Sequence, residues 1–223
     1  MTLPEQYKRG TQAFMDFEFA VTKDTFIPRP ETELLVEKTL EVAEILNDTK
    51  PEGQELKILD IGTGSGNIAI SLTKYIQRSK ILALDISHVA LLKARENAST
   101  HGVSDRIQFV NCDLLGSISR RGSFDIIVAN PPYISDRDMA ELPPEVLREP
   151  RIALSGGTDG LDFYREIVEK SMIYLKERGF ILLEIGYDQA RPVEMLFRNK
   201  GYSEIETFKD YSGIDRIIKV RNG

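Results

Sequence analysis

The sequence predicts an α/β fold in which a doubly wound, mostly parallel sheet of seven strands follows a small N-terminal β-hairpin. Three observations predict it. Short apolar segments alternate with segments of helical spacing from residue 57 to residue 199, the order that puts helices on both faces of a parallel sheet. The first of these apolar segments runs into a glycine-rich turn, Asp60-Ile61-Gly62-Thr63-Gly64-Ser65-Gly66. A later one ends, after Phe124, Ile126, Ile127, Val128 and Ala129, in Asn130-Pro131-Pro132-Tyr133. Ligands of open α/β sheets bind beyond the carboxyl ends of the strands, and both motifs fall there.

Taken in chain order, residues 11–27 alternate Phe17, Phe19 and Val21 with Asp16, Glu18 and Thr22, and Lys23-Asp24 reads as the turn or edge of a hairpin. Residues 31–46 place Leu34, Leu35, Leu40, Ala43 and Leu46 at helical spacing, with Pro30 or Thr32 marking the start. Pro51 and Gly53 make 48–54 a loop. Strands are then predicted at 57–61, 80–85, 107–112, 124–129 and 180–185. Helices are predicted at 67–77 (Ile68, Leu72, Tyr75 and Ile76 on one side), 87–98 (Val89, Leu92 and Ala94 inside), 161–175 and 189–199. Segments 202–208 and 216–220 read as a closing strand pair. The natural division is 1–30 as hairpin and linker and 31–223 as the main domain.

Composition narrows the function. With 223 residues, 41% hydrophobic and 29% charged, the chain suits one large globular domain. No apolar run approaches the roughly 20 residues of a membrane span. The first residues show no basic region leading into an apolar one, so no signal peptide is read. A single Cys112 excludes an internal disulfide, and with only His88 and His101 beside it no metal site is expected. These features together point to the cytoplasm. The net charge of −6 argues against a nucleic-acid substrate, which calls for a basic surface. The short basic clusters, Arg120-Arg121 and Arg148 with Arg151, read by default as solvated surface.

The glycine turn lacks the Gly-Lys-Ser/Thr of a phosphate loop, and its third glycine comes one residue early for a dinucleotide fingerprint. It fits a nucleoside ligand without a pyrophosphate, although a plain strand-to-helix turn uses the same glycines. Asp85 ends the next strand, where an acid accepts from ribose hydroxyls; the competing role is a helix cap near Ser87. Asp113 ends the third strand, placed to accept from an adenine amino group while Leu114 packs on the ring, or simply to begin a loop. In Asn130-Pro131-Pro132-Tyr133 the prolines remove two donors and leave carbonyls free. Asn130 adds a carbonyl and Tyr133 a flat face, a set able to grip a planar amino group by its hydrogens. A turn that merely stops a strand would also use Pro-Pro.

With these residues in hand the chain resembles class I (Rossmann-like) S-adenosylmethionine-dependent methyltransferases. More closely it resembles the HemK/PrmC family of peptide chain release factor glutamine methyltransferases. The resemblance runs from about Gln6 to Val220. It rests on Phe26-Ile27-Pro28-Arg29-Pro30-Glu31-Thr32-Glu33, the 60–66 turn, 130–133, Glu149-Pro150-Arg151, Asp159-Gly160-Leu161 and Leu183-Glu184-Ile185-Gly186. It implies methyl transfer from S-adenosylmethionine, leaving S-adenosylhomocysteine, to the N5 amide of the Gly-Gly-Gln glutamine of class I release factors, the expected partner. Residues 31–223 would then be the transferase domain. Asn130, Pro131 and Tyr133 are the implied catalytic residues, with Pro132, Arg29 and Glu31 joining them on the substrate. Asp60, Gly62, Thr63, Gly64, Ser65, Gly66, Asp85, Ile86, Asp113, Leu114 and Asn130 are the implied cofactor residues. Thr32 is a further candidate for the pocket wall, and Arg148 and Arg151 for contact with a protein substrate. Family members usually begin with a small helical domain, and this sequence starts almost at the hairpin that follows it, with most of that domain not present. Asn-Pro-Pro-Tyr also occurs in enzymes that methylate base amines, so a base amine of RNA or DNA is the competing substrate, as is a glutamine of another translation protein such as a ribosomal protein. A non-catalytic relative is the third reading, against which the intact motifs argue.

Overall fold

The computed structural model describes residues 3–51, 53–116 and 122–223; the Arg120-Arg121 cluster lies outside them. A short helix α1 (Glu5–Arg9) leads into a two-stranded hairpin, β1 (Thr11–Phe14) and β2 (Phe17–Ala20). The main domain follows: α2 (Pro30–Thr49), β3 (Leu56–Ile61), α3 (Asn67–Tyr75), β4 (Ser79–Asp85), α4 (His88–Thr100), β5 (Ile107–Asn111), β6 (Phe124–Ala129), α5 (Asp136–Met139), α6 (Asp162–Tyr174), β7 (Leu175–Glu184), α7 (Ala190–Asn199), β8 (Glu204–Lys209) and β9 (Asp215–Arg221).

The seven-stranded sheet has the order β5-β4-β3-β6-β7-β9-β8. Its pairs are parallel except those of β9, which runs antiparallel to both neighbours. The chain winds outward from β3 to β5, then returns to lay β6 on the other side of β3. That reversal opens a crevice between the two strand ends. Register makes it precise: Ile61 pairs with Ala129, so the glycine turn and Asn130 leave the sheet side by side.

Alternation along each strand sends neighbouring residues to opposite faces. Ile58, Ile126, Leu182 and Ile217 face α2, α3 and α4 through Leu35, Ile70 and Ala98. Leu59, Ile127, Ile181 and Ile218 face α6 and α7 through Tyr164, Ile167, Val193 and Phe197. Burial on both faces is why the central strands read as near-continuous apolar runs. Among the described residues no helix is long and apolar enough to cross a membrane.

Several local expectations are corrected. The hairpin turns at Met15-Asp16, where Phe14 pairs with Phe17 and Met15 takes φ +50°. Lys23-Asp24 sits in a separate turn held by Thr22 and Thr25. Helix α2 continues to Thr49, taking in Asp48. Val89 and Leu92 are 50% and 52% exposed, because α4 turns its small side chains inward: Ala90, Ala94 and Ala98 are buried with Leu91 and Asn97. Tyr75 lies on the surface with its hydroxyl donating to Asp16 at 2.6 Å. Strand β7 begins at Leu175, five residues before Phe180, and its pairing shifts where Arg178 has φ +59°.

Candidate active site

The glycine turn is pinned from below. The amides of Gly62 and Thr63 both donate to the Leu84 carbonyl at 2.9 and 2.8 Å, and Gly66 closes onto Thr63 at 2.8 Å. Gly62 and Gly64 have φ +75° and +55°, and a side chain on either would meet nothing within 4 Å. Their glycines serve the backbone conformation and leave the space above open. Gly66 differs: a Cβ there would lie 3.0 Å from Ile70 and 3.2 Å from Ala94, so it lets α3 and α4 close together.

Asp60 is fully buried beneath this turn. Its Oδ2 accepts from the Thr63 hydroxyl at 2.6 Å, while Oδ1 has no partner among the described residues. Burial pushes its carboxyl up to about 7; the Asp85 charge adds to the rise, and Thr63 opposes it. Asp85 accepts from Gly64 N and Ser87 N, both at 2.8 Å. Burial raises its pKa against those two bonds. The helix cap is Ser87 itself, which accepts from Ala90 N at 3.2 Å, so Asp85 is left to tie the turn to β4 and face the cavity. Asn97 from α4 joins the hairpin to the turn: its Nδ2 donates to Ser65 O at 2.8 Å and Ala20 O at 3.0 Å.

The other half of the site is a chain of side-chain bonds. Asn130 Nδ2 donates to Thr32 Oγ1 at 3.0 Å, and Thr32 Oγ1 donates to Glu184 Oε2 at 2.7 Å. The Tyr133 hydroxyl approaches Glu184 Oε1 at 3.5 Å. Burial pushes the Glu184 carboxyl up to about 7, with Thr32 and the Arg216 charge holding it down. Burial and the Glu184 charge raise the Tyr133 phenol. The Tyr133 carbonyl accepts from Gln189 Nε2 at 2.9 Å. Gly160 lets this turn pack closely, since any Cβ there would collide with the Tyr133 carbonyl, and one at Gly156 would lie 2.8 Å from the Pro132 carbonyl. Glu149 anchors the 26–29 segment by pairing with Arg29 and accepting from Ile27 N at 3.0 Å.

Both halves open into one cavity of about 330 Å³, within the range of small-ligand sites. Thr63, Ser65, Asp85, Ile86, Asp113 and Leu114 line it with Gly62 and Gly64 at one end. Asn130, Pro131, Pro132, Tyr133, Thr32 and Arg29 line the other. Asp60, Gly66 and Glu31 do not line it: Asp60 and Gly66 shape the turn from beneath, and Glu31 is exposed on the first turn of α2. Arg148 and Arg151 flank Pro150 without lining the cavity. Sequence reasoning passed over Gln189 and Asn97, and quoted Glu184 only as part of a motif. The available signal for Glu184 was an acid ending an apolar strand.

Residues 38–158 match the family described as the methyltransferase small domain. Over 224 aligned residues the chain is 42% identical to a release factor glutamine methyltransferase of Clostridium acetobutylicum, covering 99% of this chain and 76% of that relative. A solved protein-(glutamine-N5) methyltransferase (release factor-specific) from Alicyclobacillus acidocaldarius is 28% identical, with a TM-score of 0.52 over 88% of this chain and 94% of its own. The hMettl16 catalytic domain superposes with a TM-score of 0.70 at 15% identity over 97% of this chain and 88% of its own, a likeness of fold alone.

Proposed function

This chain belongs to the release factor glutamine methyltransferase family, and from that premise we propose that it moves a methyl group from S-adenosylmethionine to the side-chain amide nitrogen of a release factor glutamine. The carrying observation is one shared cavity: a glycine turn open to a nucleoside at one end, and Asn130 to Tyr133 at the other. The residues present fit the donor. The turn offers open backbone at Gly62 and Gly64, an acid at Asp85 for ribose hydroxyls, and Ile86 and Leu114 as apolar walls for a base. When bound, S-adenosylmethionine supplies an electrophilic methyl on a sulfonium, a leaving group that needs no protonation.

The chain's own residues address the other difficulty. An amide nitrogen is a weak nucleophile because its lone pair is delocalised into the carbonyl. The Asn130 Oδ1 and the Pro131 carbonyl each accept one amide hydrogen, which aims the nitrogen and stabilises positive charge as it builds there. Tyr133 packs on the amide plane. Holding the reacting groups in line supplies several kcal/mol through proximity alone. The methylated nitrogen is strongly acidic and gives its proton to water, so no side-chain base is required.

The test is transfer of labelled methyl to a purified class I release factor, followed by hydrolysis and identification of N5-methylglutamine. A ribosomal protein and an RNA serve as competing acceptors. Label recovered on RNA, or on no acceptor at all, overturns the proposal.

A further inference from the structure

We propose that Thr32 is a positioning residue for this methyl transfer, holding the Asn130 carboxamide with its oxygen toward the substrate, and that Glu184 sets the direction of the hydrogen-bond chain through Thr32. The inference rests on the reading above and deepens it.

A carboxamide has nearly the same shape at its two ends, and only hydrogen bonding tells oxygen from nitrogen. The difference decides whether the site works. An oxygen facing the cavity accepts a hydrogen of the substrate amide, whereas an NH2 group there opposes it donor to donor. Asn130 cannot choose its own orientation. Thr32 has a single hydroxyl proton, and an ionised Glu184 is an acceptor only. The proton therefore goes to Glu184 Oε2, at 2.7 Å. The Thr32 oxygen is left with lone pairs alone, so the group 3.0 Å from it is the Asn130 Nδ2, and Oδ1 is turned to the cavity. Thr32 and Glu184 are each 1% exposed, which keeps water from satisfying either in the other's place.

The groups facing Glu184 act on its acceptor state in both directions, and burial, the strongest influence, works against it. The Tyr133 hydroxyl lies at 3.5 Å, and Arg216 of β9 contributes a positive charge. Glu31 of α2 and burial oppose it. The Tyr164 hydroxyl from α6 donates to the backbone carbonyl of Glu184 at 2.9 Å and takes no part. With the carboxyl pushed up to about 7, the chain's direction is held least firmly in mild acid.

The experiment measures methyl transfer to a class I release factor, with calorimetry of S-adenosylhomocysteine and thermal melting as controls. Thr32→Val keeps the shape and removes the hydroxyl. Its kcat falls by about 30-fold or more, somewhat less than losing the aimed acceptor outright because the carboxamide is misdirected rather than removed, with cofactor affinity within a few-fold. Thr32→Ser keeps the hydroxyl and stays within about threefold, since the bond geometry survives. The second arm reverses the chain. Asn130→Asp places a second carboxylate at its end and leaves two acceptors competing for one hydroxyl proton. Glu184→Gln then provides a donor at the far end, so Asn130→Asp/Glu184→Gln transfers methyl about tenfold faster than Asn130→Asp alone, a coupling that a purely structural Glu184 would not produce. An unchanged kcat in Thr32→Val, or no gain from Glu184→Gln in the Asn130→Asp background, overturns the inference. A wild-type protein that transfers no methyl overturns the underlying reading and this inference with it.

Discussion

The two ends of the cavity are built by opposite means. At the glycine end the partners within the turn are close in sequence, Asp60 with Thr63 three residues away and Gly64 with Asp85 at 21, and Asn97 reaches Ser65 at 32. Backbone conformation does the shaping there, through positive φ at Gly62, Gly64 and Gly66. At the Asn130 end the partners are distant. Thr32 reaches Asn130 across 98 residues and Glu184 across 152, and Glu149 holds Ile27 across 122. The difference assigns the tasks. A ligand met mainly by backbone tolerates conservative side-chain change around it. A ligand met by an oriented carboxamide depends on every link that orients it.

The sharpest way to break this contrast is Asn130→Ala. Turnover should fall by about 100-fold or more, the cost of losing an acceptor aimed at developing charge, while cofactor affinity stays within a few-fold. A turnover assay beside calorimetry decides it. Near-normal turnover would mean that the side-chain end does not govern chemistry.

Next comes Asp85→Ala, the reciprocal change. A charged acceptor is lost, and with it the bonds to Gly64 N and Ser87 N, so cofactor binding should weaken by about 1–3 kcal/mol. At saturating cofactor, kcat should be nearly restored. Unchanged affinity would remove the ribose role and leave Asp85 as a loop brace.

The same contrast explains what the sequence made legible. The glycine turn and Asp85 were readable because strand, turn and acid follow one another within a single strand–helix–strand unit. The parallel order was readable because β3, β4 and β6 each carry a run of apolar residues, Ile58-Leu59, Ile81 to Leu84 and Ile126 to Ala129. Asn130 was visible from its own motif, but Thr32 and Glu184 were not visible as its partners. Nothing in a linear pattern says that the first turn of α2 will meet the end of β7. Val89 and Leu92 failed for a related reason. Hydrophobicity alone favoured them as inward residues beside Ala94, whereas α4 buries Ala90, Ala94 and Ala98, with Ala94 meeting Gly66 where α3 and α4 close together. Asp60 reads as a ligand because it opens the motif, whereas in the fold it lies buried under the turn and outside the cavity lining.

A smaller effect sharpens the distant end. Glu149→Gln keeps the shape but removes the charge that pairs with Arg29 and weakens the bond to Ile27 N. The chain should lose about 1–2 kcal/mol of stability, as for a buried charged hydrogen bond. Phe26 and Arg29 line the cavity, so KM for the release factor should rise more than the cofactor Kd. Equal changes in both would show that the 26–29 segment serves the two ends alike.

A pH-dependent effect on stability separates support from ligation at Asp60. Its carboxyl rises from 3.8 to about 7 because burial penalises the charged form. Between those values the folded protein holds a proton that the unfolded chain has released, so stability falls as pH rises through that window. The penalty is absent below about 4 and fully felt above about 7. Asp60→Asn removes the charge while an oxygen remains for the Thr63 hydroxyl. Its thermal midpoint relative to the wild type should therefore climb between pH 5 and pH 8, by an amount on the order of 2–3 kcal/mol in stability. Taking the difference between the two proteins cancels the titration of Glu184 and of the surface groups. A difference that stays constant with pH would mean that Asp60 is ionised throughout, with its charge met by something in the turn. In that case the glycine end would rest on a side-chain charge as much as on backbone, and the contrast with Asn130 would narrow.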